Sequence, residues 1–394
     1  MHAREIRHGI HAIIMAHWER RLFDSLIPLP DGTSYNAYLV EGRDATALID
    51  SADPALQDEL MEHLRGVQRV DYIVSQHSEQ DHSGAIPLVL ERFPDARIVC
   101  SGKAADLLTT HLGVSGDRLI IAEDGRTIDL GGRTLQFVHT TWVHWPETLC
   151  TYVPQDKVLF TCDFFGSHLA TNDLVVTDEG RVYEAAKRYY AEIMMPFRAI
   201  ITKNLEKLGA LDFEMIAPSH GPVYDRPAFI LDAYRDWVSP RMKNEVVLPY
   251  VSMHGSTAAM IKHLIDALTR HGVTVHPFDL TVTDIGKLAI TLVDAATLIV
   301  GTPTVHVGPH PAVYYAAHLA NLLRPKLKYA AIIGSYGWSS KAIEQITELI
   351  PRLKVEVLGT VLHKGHPTAE TYGQLDALAA SVAKAHREDA LVTV

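Results

Sequence analysis

At 394 residues the chain has the length of two domains or one large one, and a composition 47% hydrophobic and 21% charged excludes a disordered protein. A formal net charge of −11 excludes a nucleic-acid polycation, and three cysteines, none in a Cys-x-x-Cys pair, exclude a disulfide scaffold and an in-chain rubredoxin or iron–sulfur site. The longest apolar stretches, such as the one opening at Leu298, fall well short of the ~20 residues a bilayer span needs, so neither nucleic acid nor membrane is an expected partner.

The first residues, Met1-His-Ala-Arg-Glu-Ile-Arg-His, interleave acid, base and imidazole and lack the build of a secretory signal. With so few cysteines, this predicts a cytoplasmic protein. From Ala12 to about Val238 short β-branched runs predict strands at 36–40, 45–50, 72–75, 97–100, 135–139, 149–153, 158–161 and 213–216. Apolar spacing near 3.6 predicts helices at 55–65, 85–92, 103–112, roughly 183–207 and 226–238. Strands with interleaved and later helices suggest two sheets covered by helices, an αββα sandwich.

Past Pro240 strand and helix alternate strictly: strands at 246–251, 273–278, 298–301, 329–334 and 355–361, helices at 258–271, 283–294, 312–323, 341–353 and 370–387. Repeated βα units demand a parallel, doubly wound sheet, because parallel strands need crossover helices. The boundary is expected near 239–247, giving domains 1–243 and 244–394. Charge divides close by: residues after Glu245 carry 12 Lys/Arg against 11 Asp/Glu, and the rest carry 24 against 36, so the acidity belongs to the first half.

Twenty-two histidines are many for this length, and most, including His8, His11, His17, His63 and His111, show no ligand spacing. The exception follows the strand at 72–75: Gln76-His77-Ser78-Glu79-Gln80-Asp81-His82-Ser83-Gly84. Imidazoles and carboxylates at alternating positions of a loop leaving a strand can converge on a metal with little folding. Single candidates stand at later strand ends: His144 in Thr141-Trp-Val-His-Trp-Pro-Glu, Asp163 in Phe160-Thr-Cys-Asp, and His220 in Ala217-Pro-Ser-His. His168 and Trp145 are expected to neighbour such a site.

In the second half three strand ends carry loops suited to a phosphate and an aromatic ring. Ser252-Met253-His254-Gly255-Ser256-Thr257 precedes a helix, so hydroxyls and free helix amides form an anion cradle. Pro303-Thr304-Val305-His306, with Gly308, follows the third strand, and Ser335-Tyr336-Gly337-Trp338-Ser339 the fourth. This arrangement is where flavodoxin-like folds bind FMN. His254 and Lys341 are the nearby groups suited to assist an anion electrostatically.

The first half resembles the metallo-β-lactamase superfamily, whose usual run is His-x-His-x-Asp-His. Here Glu79 stands where the second histidine would, and a carboxylate there favours iron over zinc. Both halves together resemble the flavodiiron proteins. The resemblance implies that His77, Glu79 and His144 hold one iron, Asp81 and His220 the other, and Asp163 bridges them; His82 is a ligand in some members and swung away in others. It also implies reduction of dioxygen to water, of nitric oxide to nitrous oxide, or both, with FMN relaying electrons. His254 departs from the aromatic residue common in that loop.

The chain stops at Val394 without a rubredoxin or reductase segment, which predicts an external donor, rubredoxin or a reduced deazaflavin coenzyme. The resemblance further implies a head-to-tail homodimer, or a dimer of such dimers, that brings the FMN of one chain to the irons of the other. Two alternatives stand beside it. A zinc hydrolase with an accessory flavodoxin domain would expect His-x-His, and an electron-transfer flavoprotein would leave the residues between His77 and His220 without a purpose.

Overall fold

The computed structural model describes residues 3–391. Two compact units change over at Val238/Ser239, with the segment 191–196 belonging to the second.

In the first unit a seven-stranded sheet has the order β1-β2-β5-β6-β7-β8-β9, formed by Arg4–Arg7, Ile10–His17, Thr33–Glu41, Thr46–Ile49, Tyr72–Val74, Arg97–Cys100 and Leu119–Ile121. The short hairpin of β3 (Leu22–Phe23) and β4 (Ile27–Pro28) stands apart from it. β6 to β9 run parallel and the remaining pairs antiparallel. A second sheet has the order β10 (Thr127–Asp129), β11 (Thr134–His139), β12 (Leu149–Val153), β13 (Val158–Cys162) and β14 (Met215–Pro218), with only β13 and β14 parallel.

Alternation along each strand sorts side chains between two cores. In β5, Tyr38 and Val40 point into a core shared with Phe137, Leu149 and Phe160 of the second sheet. Tyr35, Ala37 and Leu39 point the other way, into a core with Leu60, Ile86 and Leu108. Those three lie on helices α1 (Gln57–His63), α3 (Ile86–Arg92) and α4 (Gly102–Leu112); α2 (Gln80–Ser83) is a single turn between them. The αββα sandwich read from the sequence is thus the fold of this unit.

Three expectations need correction. β1 to β4 lie before the first expected strand, and β9 and β10 between the expected strands at 97–100 and 135–139; most of β2 is buried, so it shows none of the polar alternation that marks a half-exposed strand. The single helix expected at 183–207 is broken into α5 (Glu179–Tyr189), a π turn, a 3-10 turn and α6 (Arg198–Leu208), because Pro196 lacks an amide proton and cannot sit inside a continuous helix. In the second unit the helix expected to reach 353 stops at Leu349, two residues short of Pro351.

α7 (Ala228–Val238) closes the first unit. The second is a parallel sheet of order β16-β15-β17-β19-β20: Thr274–Asp279, Lys243–Tyr250, Ala295–Val305, Tyr329–Tyr336 and Glu356–Lys364. β18 (Gly308–Pro309) folds back on the end of β17. α8 (Ser256–Arg270) and α12 (Ala369–Glu388) bury Met260, Leu264, Leu375 and Val382 on one face. α9 (Ile285–Leu292), α10 (Pro311–Leu323) and α11 (Ala342–Leu349) bury Leu288, Ala316 and Ile346 on the other. This strand order is flavodoxin-like, and its ligand crevice lies at the carboxyl ends of the strands. Among the described residues no helix is long and apolar enough to cross a membrane.

Candidate metal centre and flavin cavity

All the metal candidates of the sequence stand beyond the carboxyl ends of strands in the first unit. His77 and Glu79 follow β7, and Asp163 and His220 leave the neighbouring strands β13 and β14. His144 comes from the loop between β11 and β12. Asp81 and His82 sit on the one-turn helix α2 rather than in an open loop.

Their donor atoms form two groups, each within 4.8 Å: His77, Glu79, His144 and Asp163; and Asp81, His82 and His220. A third set, His82, Cys162 and Asp163, overlaps each of them, so Asp163 stands in the first group and beside the second. Its Oδ2 lies 3.4 Å from His77 Nε2 and 3.5 Å from His144 Nε2, while its Oδ1 lies 2.9 Å from His82 Nε2 and 3.3 Å from His220 Nε2. Glu79 completes the first group at 3.0 Å from His77 and 3.2 Å from His144. Asp81 completes the second at 3.2 Å from His82 and 3.3 Å from His220. One carboxylate divided between two sets of nitrogen and oxygen donors is the geometry of a bridging ligand.

The donors also fit a pair of cations electrically. Both oxygens of Asp81 and of Asp163 are buried without a hydrogen-bond partner, an expense that a metal would remove. Against the effect of burial, the surrounding imidazoles hold Glu79 and Asp163 well below the usual carboxylate range. Burial pulls His144 down, but the nearby Asp163 and Glu79 carboxylates prevail and lift it to about 9; Asp163 and Asp81 likewise lift His220 to about 10.

A further set of bonds aims the rings. The Nδ1–H of His77 donates to Glu147 Oε1 at 2.7 Å, which also accepts the Ser78 amide at 3.1 Å. His220 Nδ1–H donates to the Ser34 carbonyl at 2.8 Å. Each bond fixes the tautomer that turns Nε2 toward the donor group. Asp50 accepts bonds from the Gln76 amide and side chain, both at 2.9 Å, and from the Ser219 hydroxyl at 3.0 Å. Asn36 donates to the carbonyls of Pro218 and Gly221, on either side of His220. Gly221 is required there: its φ is +79°, and a Cβ would stand 2.0 Å from Ser167 Oγ.

Trp145 and His168 lie where the sequence suggests, Trp145 edge-on to His77 at 5.1 Å and His168 edge-on to His220 at 4.9 Å between ring centroids. Glu147 and Asp50 are additions. The signal for Glu147 was its place three residues beyond His144; for Asp50 there was none beyond the end of a strand.

In the second unit a cavity of about 220 Å³ is lined by Met253, His254, Ser256, Thr257, Pro303, Thr304, Ser335, Tyr336 and Gly337 from the three expected loops. Gly365, beyond β20, joins them and donates its amide to the Tyr336 carbonyl at 2.9 Å. Ser252, Gly255, Val305, His306, Gly308, Trp338 and Ser339 are outside this lining. Ser252 is a loop clasp, its hydroxyl accepting the Ala258 amide at 3.1 Å. Val305 ends β17, and His306 forms the turn into β18 at Gly308. The Thr257 and Ser335 hydroxyls are buried and 2.9 Å apart at the start of α8, whose N-cap Gly255 offers no side-chain acceptor.

Residues 33–221 match the family described as ODP family beta lactamase. Over 364 residues the chain is 34% identical to a nitric oxide reductase of Moorella thermoacetica, covering 90% of each. To a coenzyme F420H(2) oxidase of Methanothermobacter marburgensis it is 32% identical over 371 residues, 90% of this chain and 91% of the other. The solved flavodiiron protein from Giardia intestinalis superposes with a TM-score of 0.92 at 27% identity, covering 98% of both chains. The chain belongs to the flavodiiron protein family. Rubredoxin oxygen:oxidoreductase from Desulfovibrio gigas has the same two-part fold, with a TM-score of 0.95 at 29% identity over 99% of this chain and 100% of that one. As a flavodiiron protein the molecule is an oxidoreductase that takes FMN and a non-haem diiron centre.

Proposed function

We propose that this flavodiiron protein reduces dioxygen to water, nitric oxide to nitrous oxide, or both, at an iron pair in the first unit, with electrons relayed by FMN in the second. The observation that carries the reading is the divided carboxylate of Asp163, one oxygen in each donor group. In this reading His77, Glu79 and His144 hold one iron, Asp81, His82 and His220 the other, and Asp163 bridges them; the domains are 1–243 for iron and 244–394 for FMN. The irons, when bound, supply electrons and open positions for a diatomic molecule, and FMN passes electrons on from a donor.

The chain's own residues do the positioning. Glu147 and the Ser34 carbonyl hold two ligand rings in register, and burial keeps bulk water from all but one edge of the centre. That edge is Glu79 and His144, with side chains 11% and 16% exposed against 0–4% for the other donors. In the flavin unit the Thr257 and Ser335 hydroxyls and the free amides of α8 suit a phosphate, and Tyr336 with the neighbouring loops suits the ring.

Apolar side chains exposed near each site support a head-to-tail homodimer: Trp18, Leu22, Leu26 and Trp142 on the iron unit, Met253 and Trp338 on the FMN unit. Electrons would come from rubredoxin or a reduced deazaflavin coenzyme in the cytoplasm. Metal and flavin analysis, followed by anaerobic addition of either reduced donor and then either gas, tests the reading. Iron, FMN and gas-dependent turnover are expected; zinc without flavin overturns it.

A further inference from the structure

From the second donor group a file of oxidisable rings runs to the surface of the first unit. Tyr189 lies 5.7 Å from His220 between ring centroids and adjoins Tyr190 in the chain. Tyr190 is 5.3 Å and Tyr234 5.1 Å from Trp237, and Trp237 is 5.4 Å from Tyr183. A second link starts at Asp163, whose chain neighbour Phe164 is 5.5 Å from Tyr234. Tyr189, Tyr190, Tyr234 and Trp237 are each at most 1% exposed, whereas Tyr183 is 36% exposed.

Packing alone does not ask for these residue types. The Tyr234 hydroxyl is buried without a hydrogen-bond partner, a cost that phenylalanine in its place would avoid. What phenol and indole offer, and phenylalanine does not, is an electron that a strong oxidant can remove. Electron transfer weakens steeply with distance, and rings in contact keep each step short. The outer end also has an outlet for a proton. Trp237 Nε1–H donates to the Tyr183 hydroxyl at 3.2 Å, so the phenol keeps its own proton free to pass to water from a ring that reaches solvent.

We propose that these rings are an electron outlet for a protein starved of donor. Dioxygen that receives only two electrons becomes hydrogen peroxide, one electron pair short of water. Trp237 and Tyr183 supply that pair to peroxide at the iron centre and so spare the ligand histidines. In the step the O–O bond breaks, Tyr183 loses an electron and its hydroxyl proton, and Trp237 loses an electron while its proton stays in the bond to Tyr183. With one further proton from water, two waters form. Two molecules of a small thiol then restore the rings: each gives one electron, one proton returns to Tyr183, the other goes to water, and the sulfurs join as a disulfide. This rests on the iron assignment above.

The test adds hydrogen peroxide, without donor, to iron-replete oxidised holoprotein and to its Tyr183→Phe and Trp237→Phe variants. Samples are frozen for electron paramagnetic resonance, oxidised residues are mapped by peptide mass spectrometry, and iron is measured afterwards. The parent is expected to show a radical of mixed tyrosyl and tryptophanyl character that glutathione erases, with oxidation gathered on Tyr183 and Trp237 and iron retained. Trp237→Phe loses the radical at Tyr183 as well, moves oxidation inward to Tyr189 and His220, and releases iron. Tyr183→Phe keeps only the tryptophanyl part; if Trp237→Phe does not fold, this variant carries the comparison, and an undiminished tyrosyl signal in it overturns the proposal. No radical in the iron-replete parent, an unchanged radical and oxidation map in Trp237→Phe, or the same signal in protein stripped of iron also overturns it. A parent protein that binds no iron overturns the iron assignment instead.

Discussion

The two sites of this protein solve the problem of holding a cofactor in contrasting ways. Around the iron ligands nearly everything is buried, each ring is aimed by another group, and the participants come from distant parts of the chain: His77 and His220 are 143 positions apart. Around the flavin cavity the participants are successive loops at the ends of neighbouring parallel strands, and Met253 at 49% and Trp338 at 78% exposure face solvent. A site of the first kind gains rigidity and loses tolerance, since every change is felt by several partners; a site of the second kind loses only the contact removed.

Substitutions can break this contrast or sharpen it. Asp163→Ala removes the carboxylate divided between the two donor groups, and iron should fall to trace amounts with gas-dependent turnover lost about a hundredfold or more, read by metal analysis and oxygen or nitric oxide electrodes. Glu79→His should lower iron content and raise zinc retention; unchanged iron and unchanged turnover would count against Glu79 as a ligand. Glu147→Ala touches no metal, yet frees the His77 ring, and iron affinity should fall by roughly tenfold to a hundredfold in a competition with chelator. In the other unit, Thr257→Val should weaken FMN about tenfold in a fluorescence titration and leave iron content unchanged.

The smallest effect is one of pH. His386, at the end of α12, is buried between the Thr297 hydroxyl at 2.6 Å and the Asn244 side-chain oxygen at 2.7 Å, and burial pushes it down to about 4. The unfolded chain takes up that proton near the usual ~6.5, the folded chain only near 4, so unfolding gains a proton in between. Stability of the FMN unit should therefore be level above pH ~6.5 and decline as pH falls toward 4, and His386→Gln should flatten the decline in urea titrations.

Much of the iron site was legible because its chemistry is concentrated: four donors in six residues, then single donors each just past a strand. The bridging role of Asp163 was legible only through family resemblance, since nothing in Phe160-Thr-Cys-Asp says that its two oxygens part ways. Glu147 and Asp50 were hidden for a related reason. Their partners are set by how loops meet in space, and a carboxylate at a strand end reads the same whether it caps a turn or braces a ligand. The FMN loops were legible as loops, but which side chains line the cavity depended on how far the strands run. β17 continues to Val305 and β19 to Tyr336, carrying their last residues past the lengths that apolar content alone suggested. Gly365 has no side chain to announce it.

Asp50 bonds to Gln76 and to Ser219, and each of these immediately precedes a histidine, His77 in one donor group and His220 in the other. A carboxylate that touches no metal thus acts as a caliper set across the site, gripping both jaws from behind. The separation of the two strand ends that carry these histidines is then a property of the polypeptide itself, held before any ion would arrive.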